Sequence, residues 1–283
     1  MTIRTVSLMT HNDPALTSVV LPTIVERAKA AGVALVANAD ERSRHGFGES
    51  SEVGFEEGST PDVRLCLGGD GTVLRGLRAS AGTDVPVFGI NFGEVGFLAA
   101  CDPDGSGLED ALERAFSGNF DRLELPALAV GIEGLPVAFN DVSAQRRAGL
   151  RIADVAYSIG GEEVGRVRCD GVVVATPAGS TGYNLANGGP VVAWGVEGFA
   201  VSFIAPHSLN ARSLVVAPDD EVHLINMSNN EPVDLLIDGR PMSELGPGES
   251  VGIQFKRAMA QLAQMPESSF YQRLREKFGR LAS

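Results

Sequence analysis

Cysteine is scarce in this chain: Cys66, Cys101 and Cys169 are the three among 283 residues. An odd count with no pair at Cys-x-x-Cys spacing excludes a disulfide framework or a cysteine zinc site as the organising principle. Cys66, inside an apolar run, reads as a small buried hydrophobe. No stretch of about 18 apolar residues occurs, so no membrane-spanning helix is expected. Residues 1–9 lack the long apolar centre and small-residue cleavage site of a secretory signal, which points to a reducing cytoplasm. Positive charge is short as well: 23 Lys and Arg stand against 36 Asp and Glu, a net charge of −13. A chain of that sign is not built to attract nucleic acid or an anionic membrane by its overall field. There is no Gly-x-Ser-x-Gly elbow, which argues against a hydrolase of that type, and no internal repeat or low-complexity tract.

What is present is a core-forming composition, 44% hydrophobic and 21% charged, in a length that suits one large or two modest domains. Residues 3–9 read as a strand, 15–31 as a helix, 33–37 as a strand and 40–60 as a polar, glycine-bearing loop. Residues 63–67 form a buried strand followed by a helix to about residue 81. Residues 85–90 form another strand, and 108–116 a further helix. That alternation predicts a parallel α/β domain. After Leu125-Pro126 the character changes to short strand-like runs at 127–132, 136–140, 154–159, 172–176, 199–204, 222–225 and 233–237. Those runs predict a mostly β, sandwich-like domain. Residues 267–281 carry Phe270, Leu274 and Phe278 at i, i+4, i+8, a helix whose apolar stripe needs a surface on which to dock. The expected division is 1–125 with the C-terminal helix 266–283 as one domain, and 126–265 as the other.

The most informative residues are Gly68-Gly69-Asp70-Gly71-Thr72, set between a strand and a helix. A glycine turn there presents backbone N–H groups and a helix N-terminus to a phosphate. Asp70 would repel that phosphate, a cost that makes sense if its carboxylate serves as a base or metal partner. The pentapeptide alone reads equally well as a tight turn with a capping Asp. A second dense segment spans residues 170–190, where a strand runs into Thr176, Ser180, Thr181, Gly182 and Tyr183. Small residues there admit a ligand to the backbone, hydroxyls can bond ribose or phosphate, and the phenol offers an aromatic face. Ordinary turns share that composition. Asn140-Asp141 and Asp238-Gly239-Arg240 each follow a strand-like run and equally suit Asx turns. His207 has no carboxylate nearby in sequence, and Trp194 reads as a packing residue.

Taken in order, these segments resemble the NAD kinase family. The resemblance rests on residues 68–72, Asn91-Phe92-Gly93 with Gly96-Phe97-Leu98, Asn140-Asp141, residues 170–190, residues 206–212 and Asp238-Gly239. The first turn also occurs in diacylglycerol and sphingosine kinases and in phosphofructokinases, whereas the Thr-Pro-x-Gly-Ser-Thr-x-Tyr stretch is far more specific. The resemblance implies transfer of a phosphoryl group from ATP or polyphosphate, with Mg²⁺, to the 2′-hydroxyl of the adenosine ribose of NAD. It implies Asp70 as general base, with Gly68, Gly69, Gly71 and Thr72 about the phosphates, and Arg75 and Asn91 beside them. It implies nucleotide contacts from Asn140, Asp141, Arg151, Arg168, Asp170, Thr176, Ser180, Thr181, Gly182, Tyr183, Asn184, Leu185, Ala186, Asp238 and Arg240. No metal ligand from the protein is implied, the ion arriving on the nucleotide phosphates. A homodimer or homotetramer is the family habit. Two positions depart from the pattern: Asp141 stands where Glu is usual, and Gly182 where Ala is usual. Competing readings are a lipid kinase sharing the first turn, and a dinucleotide sensor without turnover.

Overall fold

The structure, a computed structural model, describes residues 2–49, 51–56, 58, 60–92, 96–101, 107–266 and 268–279. Two compact units divide the chain, residues 1–124 with 260–283 and residues 125–259. The elements run β1 (Thr5–Thr10), α1 (Leu21–Ala30), β2 (Ala34–Ala37), α2 (Ala39–His45), β3 (Val53–Phe55), β4 (Val63–Leu67), α3 (Asp70–Ala79), β5 (Pro86–Ile90), α4 (Gly107–Ser117) and β6 (Asp121–Val130). They continue with β7 (Asp141–Arg146), β8 (Ala153–Ile159), β9 (Glu162–Cys169), β10 (Gly171–Ala175), α5 (Tyr183–Ala186), β11 (Phe199–Ile204), β12 (Leu214–Val216) and β13 (Val222–Asn226). The last are β14 (Val233–Ile237), β15 (Arg240–Leu245), β16 (Ser250–Gln264) and α6 (Phe270–Phe278).

In the first unit the strands lie in the order β3-β2-β1-β4-β5, all parallel, and Gln261 and Leu262 of β16 add in parallel beside β5. Every residue of β4 and β5 is buried. A parallel strand covered on both faces needs apolar residues on both, which is why these two read as hydrophobic runs, broken in β4 by Arg64, whose buried guanidinium donates to Ser7, Ser80 and Glu56. Helix α1 supplies Leu21, Ile24 and Ala28 to this core at helical spacing, and α4 supplies Ala111, Leu112, Ala115 and Phe116. The glycine turn and the turn after β5 both sit at the carboxyl ends of parallel strands, where ligands of such sheets bind.

In the second unit, β12-β11-β10-β7-β14-β15 form an antiparallel sheet. Opposite it lie β13 between β8 and β16, and β9 beside β8, again antiparallel. Val142, Val172, Val174 and Leu235 from one layer meet Val155, Leu224 and Ile253 from the other in a single core. The inward residues alternate, as in Val222, Leu224 and Asn226 of β13, the period expected of strands buried on one face.

Several local expectations need correction. The helix predicted over 15–31 is a 3₁₀ turn at Pro14–Leu16, capped by Asp13, followed by α1 from Leu21. Pro22 has no N–H to offer a preceding turn, so the longer helix starts beside it. The predicted loop 40–60 contains α2 and β3. Helix α2 opens where the Asn38 side chain accepts from Glu41 N–H at 2.9 Å and closes at Gly46 in the left-handed conformation. Residues 136–140 form no strand beyond a bridge between Leu128 and Ala138. Their backbone donors turn instead to the Asp238 carboxylate, described below. Strands β7, β9, β12, β15 and β16 lie outside the runs read from the sequence; in β9 residues 162–168 are largely exposed and lack an apolar period.

Candidate functional site in two halves

The first half is built on Gly68 and Gly69, which carry the chain from β4 into α3. Gly68 N–H donates to Ile90 O at 2.9 Å, fixing the turn to the end of β5, and Asp70 is the first residue of the helix. Gly71 is exposed, so the opening of α3 faces outward, while Thr72 is buried beneath it. The Asp70 side chain does not cap its own helix. It reaches to the turn after β5, where Oδ2 accepts from Phe97 N–H at 2.8 Å and Oδ1 from Leu98 N–H at 2.9 Å. The preceding residue must be glycine, because a β-carbon on Gly96 would lie 2.1 Å from Asp70 Oδ1. Asn91 is buried beside the same turns, its N–H donating to Cys101 O at 2.9 Å. Gly93, part of the recognised motif, lies outside the described residues. Arg75 is directed to the end of β1, where it donates to Thr10 O and stands 3.9 Å from the buried Glu41 carboxylate.

The second half gathers around Asn140 and Asp141. Asp238 lies in the two-residue turn between β14 and β15 with φ +45°, followed by Gly239 at φ +74°. Its carboxylate accepts from Phe139, Asn140 and Asp141 N–H at 3.3, 2.7 and 3.2 Å. Successive N–H groups turned on one anion form a backbone nest. Asp141 itself is 5% exposed, and burial first, then the neighbouring charge of Asp238, pushes its carboxyl up to about 7. Thr176 N–H donates to Asn140 O at 2.9 Å. Gly179 packs so tightly there that a β-carbon on it would meet Asn140 O at 2.0 Å.

The hydroxyls of the second motif are occupied inside their own loop. Thr176 donates to Phe139 O at 2.6 Å and accepts from Gly179 N–H at 3.0 Å. Ser180 donates to Pro177 O at 2.7 Å and accepts from Val192 N–H at 2.9 Å, and Thr181 donates to Ala178 O at 3.2 Å. Asn184 is fully buried and holds Ser180 O and Pro190 O at 3.0 and 2.9 Å. The loop instead presents Gly182, Tyr183 and Ala186, which are exposed, with Leu185 half-buried. The Tyr183 hydroxyl is raised by partial burial and then by the charges of Asp141 and Asp170. Asp170 is held by Arg146, a residue without a sequence signal, 24 positions away. Arg168, Arg151 and Arg240 are exposed, and Arg151 N–H donates to Glu231 at 2.7 Å, outside the group around Asp141.

Residues 28–120 match the family model for the ATP-NAD kinase N-terminal domain, and residues 139–264 match that for the ATP-NAD kinase C-terminal domain. The chain belongs to the NAD kinase family. Over 278 residues it is 34% identical to the NAD kinase of Symbiobacterium thermophilum, covering 96% of this chain and 97% of that one. It is 39% identical over 223 residues to the NAD kinase of Thermomicrobium roseum, covering 77% and 75%. Among solved structures it is similar to an NAD kinase from Archaeoglobus fulgidus in complex with ATP, with TM-score 0.72, 26% identity and 97% coverage of both chains. The fold also matches yeast NADH kinase complexed with NADH, with TM-score 0.87, 22% identity, and 100% and 89% coverage. This protein is accordingly an NAD kinase enzyme, with an α/β parallel-sheet domain, an antiparallel β domain and a C-terminal helix. The first family model takes in the Asp70 turn, and the second takes in Asn140, the 176–186 loop and Asp238. Among the described residues no helix is long and apolar enough to cross a membrane.

Proposed function

We propose that this enzyme transfers the γ-phosphoryl group of ATP to the 2′-hydroxyl of the adenosine ribose of NAD, with Asp70 as the general base. The 2′-oxygen forms the new bond to phosphorus, the bond to the β-phosphate oxygen breaks, and ADP leaves with that electron pair. The hydroxyl proton passes to Asp70, and NADP is the product. A ribose hydroxyl is a weak nucleophile near neutral pH, and a placed carboxylate is the usual remedy. The observation that carries the reading is the Asp70 carboxylate, fixed at the phosphate-binding turn by Phe97 and Leu98 N–H rather than spent on its own helix. Each oxygen keeps a further lone pair for the incoming proton.

The exposed opening of α3 at Gly71 suits the donor phosphates. Asn140, Asp141 and Tyr183 suit the adenosine part of NAD, and Asp170 the nicotinamide part. In this reading residues 126–265 form the dinucleotide-binding domain. Residues 1–125 with 266–283 carry the base. Among the described residues no group of three or more His, Cys, Asp or Glu is placed to hold a metal. In this reading a Mg²⁺ ion would arrive on the donor phosphates, since such a cation keeps phosphate oxygens and waters as ligands, and it would neutralise their charge. Polyphosphate, offering the same anhydride without an adenine, is the alternative donor. The enzyme is read as a cytoplasmic homodimer or homotetramer. Formation of NADP from NAD and Mg²⁺ with ATP, and separately with polyphosphate, tests the reaction and the donor together. Absence of product with both donors would overturn the reading, and full activity in Asp70→Asn would remove Asp70 as base.

A further inference from the structure

Resting on Asp70 as the base, we infer that helix α6 is a positioning device for that carboxylate, with Arg273 its principal residue. The Asp70 carboxylate is only as well placed as the N–H groups of Phe97 and Leu98 that hold it. Those donors belong to residues 96–101, a segment without regular structure beyond one bridging residue, Cys101. A cavity of about 420 Å³ lies against it, lined by Asn91, Gly96, Cys101, Gln272, Arg273 and Glu276 among others. Packing therefore leaves that side of the turn open, and α6 spans it with directed contacts.

The Arg273 guanidinium donates to Phe97 O at 3.1 Å, to Ala99 O, and to Ala100 O at 3.3 Å. Its orientation is set by Gln264 Oε1 at 2.8 Å, on the last residue of β16. A planar fork of fixed donors suits several carbonyls at once, which a lysine ammonium does not reproduce. The Phe97 ring is met by three residues of the same helix. Phe270 and Phe278 lie 6.2 and 5.8 Å away between centroids, and Lys277 Nζ stands 4.9 Å over the ring. The peptide of Phe97 thus receives Arg273 on its carbonyl while the N–H of the same residue holds Asp70. Sliding this turn by about 1 Å moves the base by a similar distance, and misplacement of that size costs about 100-fold in rate. Arg273 touches neither reacting atom, so its role is positioning.

The test is Arg273→Ala, with Arg273→Lys and Phe278→Ala beside it, in the full-length enzyme. The expected result is a 10- to 100-fold fall in kcat with KM for NAD changed less than about twofold, since the nucleotide contacts stay in place. Arg273→Lys should recover part of the loss, and Phe278→Ala, at a half-exposed ring, should lose a few-fold. Adding Arg273→Ala to Asp70→Asn should lower the residual rate no further, because no base remains to be positioned. Amide exchange at Phe97 and Leu98 should quicken in Arg273→Ala while the amides of β1 and β4 stay protected. Unchanged kcat, or unchanged exchange at those two amides, overturns the inference. If Arg273→Ala does not fold, exchange at the same amides in Phe278→Ala decides. Full activity in Asp70→Asn would instead sink the base assignment, and the exchange data would still report whether α6 fixes the turn.

Discussion

Gly96 and Asp70 are mutually exclusive with any larger residue at position 96: a β-carbon there would fall 2.1 Å from Oδ1 and 2.5 Å from Cγ of the aspartate. The motif glycine and the candidate base therefore form one unit, although 26 positions separate them in the chain. Either the carboxylate or the turn must move in Gly96→Ala. We expect the melting temperature to fall modestly, by the equivalent of about 1–3 kcal/mol for a local overpacking. We expect kcat to fall about 100-fold, since the displaced group is the proposed base. Steady-state kinetics beside a thermal melt check this, and a variant with native kcat would show that the Asp70 position is not critical.

The raised carboxyl of Asp141 makes stability depend on pH in a direction opposite to that of a salt-bridged aspartate. Its folded-state value of about 7 lies above the ordinary 3.8, so the native state holds this proton when the unfolded chain has lost it. Stability from this group is complete below about pH 4, is lost as pH rises through 7, and stays lost above. The loss is on the order of 4 kcal/mol as an upper bound, from 1.36 kcal/mol per unit over about three units. Asp141→Asn should therefore raise the melting temperature relative to the parent at pH 8 and leave the difference near zero at pH 4. Asp238→Asn should lower the Asp141 titration midpoint without restoring it, since burial is the larger cause and the Asp238 charge the smaller. A pH series of melts and a carboxyl NMR titration would check both. A stabilisation by Asp141→Asn that is the same at both pH values would count against the shift.

The elements legible in the sequence are those in which one residue pattern answers to one environment. Strands β4 and β5 are apolar, apart from the buried and ion-paired Arg64, because both faces are covered, and α1 and α4 show helical periods because one face is. Helix α2 has no legible apolar stripe, because its one buried residue is Glu41, a charge that bonds Thr10 at 2.7 Å and Arg44 at 2.6 Å. Its signals were Asn38 and Gly46, the caps alone. The site was legible as turns and not as contacts. The glycine pentapeptide points to a phosphate, but nothing in its composition shows that Asp70 turns to the backbone of Phe97 and Leu98. Nor does Asn140-Asp141 betray that its N–H groups are held by Asp238, 97 and 98 positions on. The hydroxyls of Thr176 and Ser180 look available to a ligand in sequence, yet both side chains are wholly buried and bonded within the loop.

The three thiols should separate cleanly by reactivity. Burial pushes Cys66 and Cys169 up to about 12, whereas Cys101 is half-buried at the edge of the turn after β5 that holds Asp70. The thiolate is the reactive species, so a thiol held protonated inside the core is inert. Iodoacetamide on the native enzyme at pH 8 should label Cys101 first, with Cys66 and Cys169 labelled at the rate of unfolding. Mass spectrometry of timed samples reads this directly, and equal labelling of all three in the folded state would contradict the burial. A carbamidomethyl group at Cys101 occupies the cavity beside Arg273, so labelling should also lower kcat.

Gly179 offers the sharpest stability test in the β domain. A β-carbon on it would approach Asn140 O to 2.0 Å and Asn140 C to 2.4 Å, and both are backbone atoms that no rotamer change can move away. The same turn carries the Thr176 hydroxyl bond to Phe139 O and the Thr176 N–H bond to Asn140 O. Relief of the clash must therefore pull apart two joined turns and uncover buried polar groups at about 1–3 kcal/mol each. Gly179→Ala should cost at least about 3 kcal/mol in urea unfolding, more than Gly182→Ala. At Gly182 the nearest approach is 3.4 Å to Gly179 O, a contact that a small shift accommodates. Gly182→Ala should instead stay near the parent in stability, and on the proposed reading any effect it has falls on NAD affinity. Equal destabilisation by the two alanines would show that the joint between residues 140 and 179 is not the rigid point of this loop.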